Sequence, residues 1–448
     1  MVNLTFALVG VFLSLGSASV SAAPKWLAFG DIRGYFEPCG CDPLTDLGGI
    51  QRIQAHLARE KFSNPDVSIF NLGNSFSLET FALAQQKNTY IRAGLNVIGA
   101  DVTLLNRTEL TVPDHFLPGL NYVLSNHKPN TAGRTGFKSM IETNGFLVFG
   151  LVEPFKGYPH LMPFDANKWR QLKAKELKFS TLKSVLLYSG SVKTLKKIVN
   201  TKIFDFIISS NDLGLEKTIA GEEQQNPSQL IRLRSGNVEV LKTPAGGQGV
   251  IRSPEMEQKP AALPLALTLD PNKNEPKDLT RKYVYWLTKA DDEGLSKDME
   301  AVVAKFRGAS SQKMQSLVAE RELNLKDSKF AGVSACVPCH SKAVEIWNTT
   351  KHAHAFQTIL DKNRTSDPEC VSCHVVGFSE KGGFVSQEKS PHLNNVQCES
   401  CHGPRKDHVA NPGGKSERMM AKKTCIGCHT PPHSPGFDAK KYWEIIKH

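Results

Sequence analysis

Histidine is missing from the whole stretch between His160 and His340, and only two of the ten cysteines, Cys39 and Cys41, fall outside the window from Cys336 to Cys428. The middle of the chain therefore offers no imidazole to a metal or to acid–base chemistry. Beyond the first two dozen residues no run is apolar enough to span a bilayer. The formal charge of +11 is not gathered into a basic stripe, which argues against nucleic acid as a partner. With 40% hydrophobic and 22% charged residues the chain is not of disordered composition, and 448 residues suffice for two or three domains. Lys and Arg are also absent from the extreme N-terminus, MVNLTFALVGVFLSLGSASVSAAPKW, up to Lys25. Even so, its apolar run ends in the small residues Val20, Ser21 and Ala22, and residues 1–22 read as a signal peptide, with an uncleaved anchor as the alternative. The expected location is periplasmic or secreted, where thiols are oxidised unless committed to a cofactor.

What is present is sorted along the chain. The runs WLAFGDI, VSIFNLG, FLVFGLVE, SVLLYSG and FDFIISS read as buried strands separated by helical patterns, so residues 23–270 are expected to form an α/β domain. From 253 to 279 the chain is rich in Pro, Lys and Glu. The run from Leu279 to about Leu323 has helical periodicity, and 271–325 is read as a helical connector. Residues 326–448 are expected to be mostly helical or irregular, with too little apolar side chain to fold around themselves.

Four copies of Cys-x-x-Cys-His occupy that last segment: Cys336, Cys339 and His340; Cys370, Cys373 and His374; Cys398, Cys401 and His402; Cys425, Cys428 and His429. This is the attachment signature of c-type haem, in which both thiols add to the haem vinyl groups and the adjacent imidazole binds iron. Only about 0.01 copies are expected by chance at these residue frequencies. Two structural zinc sites of four cysteines each are the rival, but zinc does not require the histidine that follows every second cysteine here. Four covalently bound c-type haems are therefore expected, with porphyrins forming much of the core. Six further histidines, His352, His354, His392, His408, His433 and His448, could supply the second axial ligands, and Met419 and Met420 are alternatives.

The runs AGVSACVPCHSKAVEIWNTTKHAHAF, VQCESCHGPRKDHV and CIGCHTPPHSPGFDAKKYWEIIKH resemble the multihaem cytochromes of the cytochrome c-554 type. The resemblance implies distal ligation by His352, His354, His408 and His448, leaves His433 outside the pattern and keeps His392 in reserve. Arg405 stands where the family often has glycine, which bears on the turn presenting His408. Electron transfer is the implied work, with redox partner proteins such as donor and acceptor cytochromes or a quinol-linked reductase, and with possible peripheral membrane or assembly contacts.

The N-terminal segment GDIRGYFEPCGCDPLTDLGGIQR resembles the opening of 5′-nucleotidase-like metallophosphatases of the calcineurin type, which implies a sandwich of two sheets flanked by helices. By that comparison the two-metal ligand set is degenerate. Asp31 and Asn106 keep their places, while Arg33, Asn74 and Arg107 stand where a metal-binding His, the bridging Asp and the catalytic His are expected. Clamping a phosphoester between two metals needs a dense ligand set, so the domain is read as a scaffold or docking module. Cys39 and Cys41 remain, read first as a structural disulfide or buried thiols, with a labile redox disulfide, free thiols or a soft-metal pair as the alternatives. The leading expectation is an exported tetrahaem electron carrier. Its rivals are a multihaem reductase of a small nitrogen or sulfur compound acting at a five-coordinate haem and, less favoured, a nucleotide phosphatase fused to a cytochrome.

Overall fold

The computed structural model describes residues 23–38, 48–78, 82–129, 134–177, 182–210, 239–243, 249–253, 256, 284–378, 380–413, 422–429, 434 and 437–448. The proposed signal peptide, Cys39, Cys41, Met419, Met420 and His433 lie outside these residues. Two sheets dominate the first half. One has seven strands in the order Val284–Trp286, Gly249–Arg252, Trp26–Phe29, Ser68–Asn71, Val102–Leu104, Tyr122–Val123 and Phe137–Lys138. The other has five, in the order Glu239–Lys242, Phe206–Ser209, Lys183–Ser189, Phe146–Val152 and Met140–Thr143. Within each sheet the central pairs are parallel, for example Leu27 against Ile69 and Val148 against Val185.

Alternation along the strands explains how the sheets stack. Trp26, Ala28, Phe70 and Leu104 from the first sheet meet Phe146, Val148, Val185 and Leu187 from the second in one core. The intervening residues point the other way, as period-two geometry requires. Leu27, Phe29 and Ile69 pack beneath helices Ile50–Ser63 and Ala82–Ile98. Leu147, Phe149 and Leu186 pack beneath Ala166–Leu177 and Val192–Thr201, through Trp169, Leu195 and Ile198. Strands buried on both faces read as continuous apolar runs, which is how FLVFGLV reads. The result is the helix–sheet–sheet–helix sandwich expected for an α/β domain.

The segment after residue 279 departs from the helical reading. Val284–Trp286 is a strand that pairs antiparallel with Gly249–Arg252, and Tyr285 stacks on the buried His56 with ring centres 3.9 Å apart. Aromatic and β-branched residues at a sheet edge fit that role better than a helix. Thr288 and Asp291 then form a capping box, and Ser296 caps the long helix Lys297–Glu322. The buried positions of this helix, Met299, Val303, Phe306, Ser310 and Met314, form one stripe. Its first half enters the N-terminal core, where Phe306 meets Phe36 at 4.4 Å between ring centres. Met314 enters a separate C-terminal core with Phe330, Phe356, Val371 and Phe384.

Among the described residues no helix is long and apolar enough to cross a membrane. Replacing Phe306 with alanine removes an aromatic ring from a site only 4% exposed and is expected to cost about 3 to 5 kcal/mol. Thermal unfolding followed by far-UV circular dichroism checks this.

Candidate functional site

The four cysteine motifs sit on four short helical segments: Val337–Asn348, Pro368–His374, Cys398–His402 and Lys422–Cys428. Within each motif the two cysteines are three residues apart, which puts both thiols on one helical face. The eight cysteines are half-buried except for the exposed Cys339 and Cys428. Thiols from different motifs also meet. Cys336 hydrogen-bonds Cys398, which raises the first thiol and lowers the second to about 7. Cys428 hydrogen-bonds Cys373, and Cys401 lies within electrostatic reach of Cys425. The attachment points thus run in a contiguous row: first, third, fourth and second.

Three motif histidines each face a second histidine. The ring centres of His340 and His408 are 6.4 Å apart, those of His352 and His429 are 6.1 Å apart, and those of His402 and His448 are 5.9 Å apart. Two imidazoles gripping one metal ion from opposite sides place their ring centres about 6 Å apart, since each metal–nitrogen bond is about 2 Å long. The residues present therefore fit an iron held between each pair. Burial lowers the pKa of His352, His402 and His429, and for His402 and His429 a facing histidine lowers it further. That favours the neutral imidazole, the form that binds metal.

Neighbouring acceptors orient the rings. His374 Nδ1 lies 2.5 Å from the Ala355 carbonyl, His429 Nδ1 2.9 Å from the Ser434 hydroxyl and His448 Nδ1 3.0 Å from the Ile446 carbonyl. A hydrogen bond at Nδ1 leaves Nε2 as the ligating atom. His354, one of the four implied distal ligands, is exposed and stands outside the three ring pairs. His392 is exposed too, with its carbonyl accepting from Gln397 Nε2 at 2.8 Å. Sequence reasoning missed Glu399, which lies inside the third motif. Its carboxylate accepts from the backbone of Ala331, Gly332 and Arg405, so it ties the approach to the first motif to the turn that carries His408.

The second cluster lies at the C-terminal ends of the parallel strands of the sandwich, the usual place for ligand sites in such sheets. Asp31 accepts from Asn74 Nδ2 at 3.2 Å and from the Thr243 hydroxyl at 2.6 Å. Asn106 Nδ2 donates to the Leu72 carbonyl, and the buried Glu109 carboxylate accepts from the Asn74 and Ser75 amides. Asp31, Arg33 and Asn74 all adopt left-handed backbone conformations, with φ of 56°, 52° and 52°. Such strain costs on the order of 1–3 kcal/mol per residue and persists only where packing enforces it. Gly73, at φ +68°, has no room for a side chain, since a Cβ there would lie 2.6 Å from the Leu104 carbonyl.

Guanidinium groups accompany the carboxylates of this cleft. Arg33 lies 3.7 Å from Asp31. Arg107 stacks over Phe155 at 5.2 Å. At Glu153 burial pushes the carboxyl pKa up, but hydrogen bonds from Thr194 and Ser191 and the charge of Arg107 leave it lowered. Among the described residues no three His, Cys, Asp or Glu side chains gather as a metal site.

Four Cys-x-x-Cys-His helices with opposed imidazoles between them define a multihaem c-type cytochrome. The model of the family "Cytochrome c554 and c-prime" matches residues 335–403. Cytochrome c-554 of Nitrosomonas europaea is 37% identical over 172 aligned residues, covering 27% of this chain and 73% of that protein. The chain belongs to the cytochrome c-554 family.

Solved structures similar to this chain include the sulfate thiohydrolase SoxB of Thermus thermophilus, with a TM-score of 0.44 and 13% identity, covering 64% of this chain. The calcineurin-like phosphoesterase YfkN of Bacillus subtilis gives a TM-score of 0.40 and 15% identity, covering 64% of this chain and 97% of that one. This chain spans 60% of the length of the sulfate thiohydrolase. These are likenesses of chain trace alone.

Replacing His408 with alanine is expected to turn one haem from low-spin to high-spin at an unchanged haem-to-protein ratio. Replacing Cys336 and Cys339 together with alanine should lower that ratio by one. Electron paramagnetic resonance and the pyridine haemochrome assay read the two effects.

Proposed function

We propose that this chain is an exported, periplasmic tetrahaem electron carrier whose irons are held largely by paired histidines. The observation that carries the reading is the set of three histidine pairs, each 5.9–6.4 Å between ring centres and each containing one motif histidine. Cys336, Cys339, Cys370, Cys373, Cys398, Cys401, Cys425 and Cys428 would hold four haems through thioethers. His340, His374, His402 and His429 are their proximal ligands, with His408 opposite His340, His448 opposite His402 and His352 opposite His429. When bound, each haem supplies a one-electron couple, and bis-histidine ligation favours low potentials. The protein's part is to keep these imidazoles neutral and oriented and to hold the attachment points in a contiguous row, so that an electron entering at one end has a short path to the other. Redox proteins of complementary charge are the partners. The exposed C-terminal helix Ala439–Ile446 carries Lys440 and Lys441 in its first turn, with Lys447 just beyond its end, which suits an acidic partner.

The N-terminal sandwich is proposed as a non-hydrolytic module. Arg33 brings fixed positive charge to Asp31, a carboxylate that a two-metal phosphatase would commit to its ions, and Arg107 does the same to the neighbouring Glu153.

Two measurements test the reading. Oxidised matured protein, its resonance signal quantified against haem, is expected to show at least three low-spin haems. A high-spin majority defeats the carrier assignment, and a high-spin fraction that shifts with nitrite, hydroxylamine or sulfite moves the function to catalysis at that iron. Incubation with nucleoside monophosphates and Mn²⁺ is expected to release no phosphate above the buffer blank, and turnover would return the N-terminal domain to the hydrolases.

A further inference from the structure

We infer that the N-terminal domain fixes the electrostatic setting of the second haem motif, with Glu37, Lys87 and Arg364 as positioning residues that set the reduction potential of the haem bound there. The inference rests on the proposed attachment at Cys370 and Cys373. Glu37 follows the Asp31–Gly34 loop, and its side chain is only 4% exposed. Its Oε1 accepts from Arg307 Nε and Nη2 at 3.0 and 2.7 Å, and its Oε2 accepts from Arg364 Nη1. One buried carboxylate of the sandwich thereby holds a guanidinium from the long helix and another from the cytochrome segment.

Arg364 carries the link onward. Its Nη1 lies 3.3 Å from Asp367, and Asp367 caps the helix Pro368–His374 by accepting from the Glu369 amide at 3.0 Å. A second route comes from helix Ala82–Ile98, where the buried Lys87 pairs with Glu369 in the first turn of the same haem-bearing helix. Val371 of that helix is fully buried in the core shared with Met314 of the long helix. Two elements of the N-terminal domain therefore grip the helix that carries Cys370, Cys373 and His374, at the end of the row of attachment points.

Three carboxylates, Glu37, Asp367 and Glu369, and three cations, Arg307, Arg364 and Lys87, meet there, and Arg364 lies within electrostatic reach of Cys370. Oxidation adds one positive charge to a haem iron. A nearby cation therefore favours the reduced form and raises the potential, and an anion lowers it. Exposed ion pairs are screened by water and salt, whereas these are shielded, with the Glu37 and Lys87 side chains 4% and 10% exposed. This contact places the charge of the sandwich against the cytochrome segment, which gives the domain a role independent of phosphoester chemistry.

Optical redox titration of the full-length matured protein tests the inference, with the second haem's midpoint identified as the one lost when Cys370 and Cys373 are both replaced by alanine. R364Q and K87Q are expected to shift that midpoint downward and E37Q to shift it upward, with the other three unchanged. R364K, which keeps the charge, should leave it in place and covers the case in which R364Q does not fold. Opposite signs are the decisive feature, because loosened docking would hydrate the same haem in every variant and move its midpoint one way. Shifts of one sign throughout, shifts spread over all haems, or no shift overturn the inference. A wild-type haem ratio below four would instead show that the attachment reading has failed.

Discussion

The helix Lys297–Glu322 has to satisfy two hydrophobic cores with one stripe of side chains, and much of the structure depends on its doing so. Met299, Val303 and Phe306 complete the layer beneath the seven-stranded sheet, while Met314 closes the small core of the cytochrome segment. A straight helix keeps residues spaced by three and four on one side, so a single rod can serve both bodies only if they lie along the same edge. The ion pairs of Glu37 and Lys87 then form where the two bodies approach. Arg321 stacks on Phe378 at 4.0 Å and Glu322 pairs with Lys389 at 2.6 Å, extending the same seating to the helix end.

The cytochrome segment shows what a sparse core demands. Its described apolar cluster is small for a segment of this length, and its remaining interior is lined with thiols and imidazoles. Burial that would be costly for charged histidines is tolerable for neutral ones, and neutral imidazoles are what iron requires. The depressed pKa values of His352, His402 and His429 therefore follow from the same packing that brings their partners opposite.

The packing of the sandwich does not depend on the residues at its strand ends, because its cores do not pass through that cleft. Trp26, Phe70, Phe146 and Val185 pack between the sheets whatever occupies the strand ends. Strained loops at Asp31 and Asn74 persist because Thr243, Glu109 and Asn106 hold them with buried hydrogen bonds. Positive charge from Arg33 and Arg107 lies beside the Asp31 and Glu153 carboxylates there.

The five buried strands were legible in the sequence because each is an apolar run, and period two then assigns every residue to one side of its sheet. The four Cys-x-x-Cys-His motifs were legible because a covalent attachment chemistry dictates residue type and spacing within five positions. Val284–Trp286 was not, since three residues inside a helical pattern become a strand only when Gly249–Arg252 offers an edge. The pairing of particular histidines was likewise out of reach. Six candidates are equivalent by composition, and only the fold sets His408 rather than His354 opposite a motif histidine. Nor could local pattern reveal Glu37 with Arg364, or Lys87 with Glu369, which meet across hundreds of residues. Chemistry confined to neighbours in the chain is written in the sequence itself, whereas contacts between distant residues exist only once two cores and the helix between them have settled their relative positions.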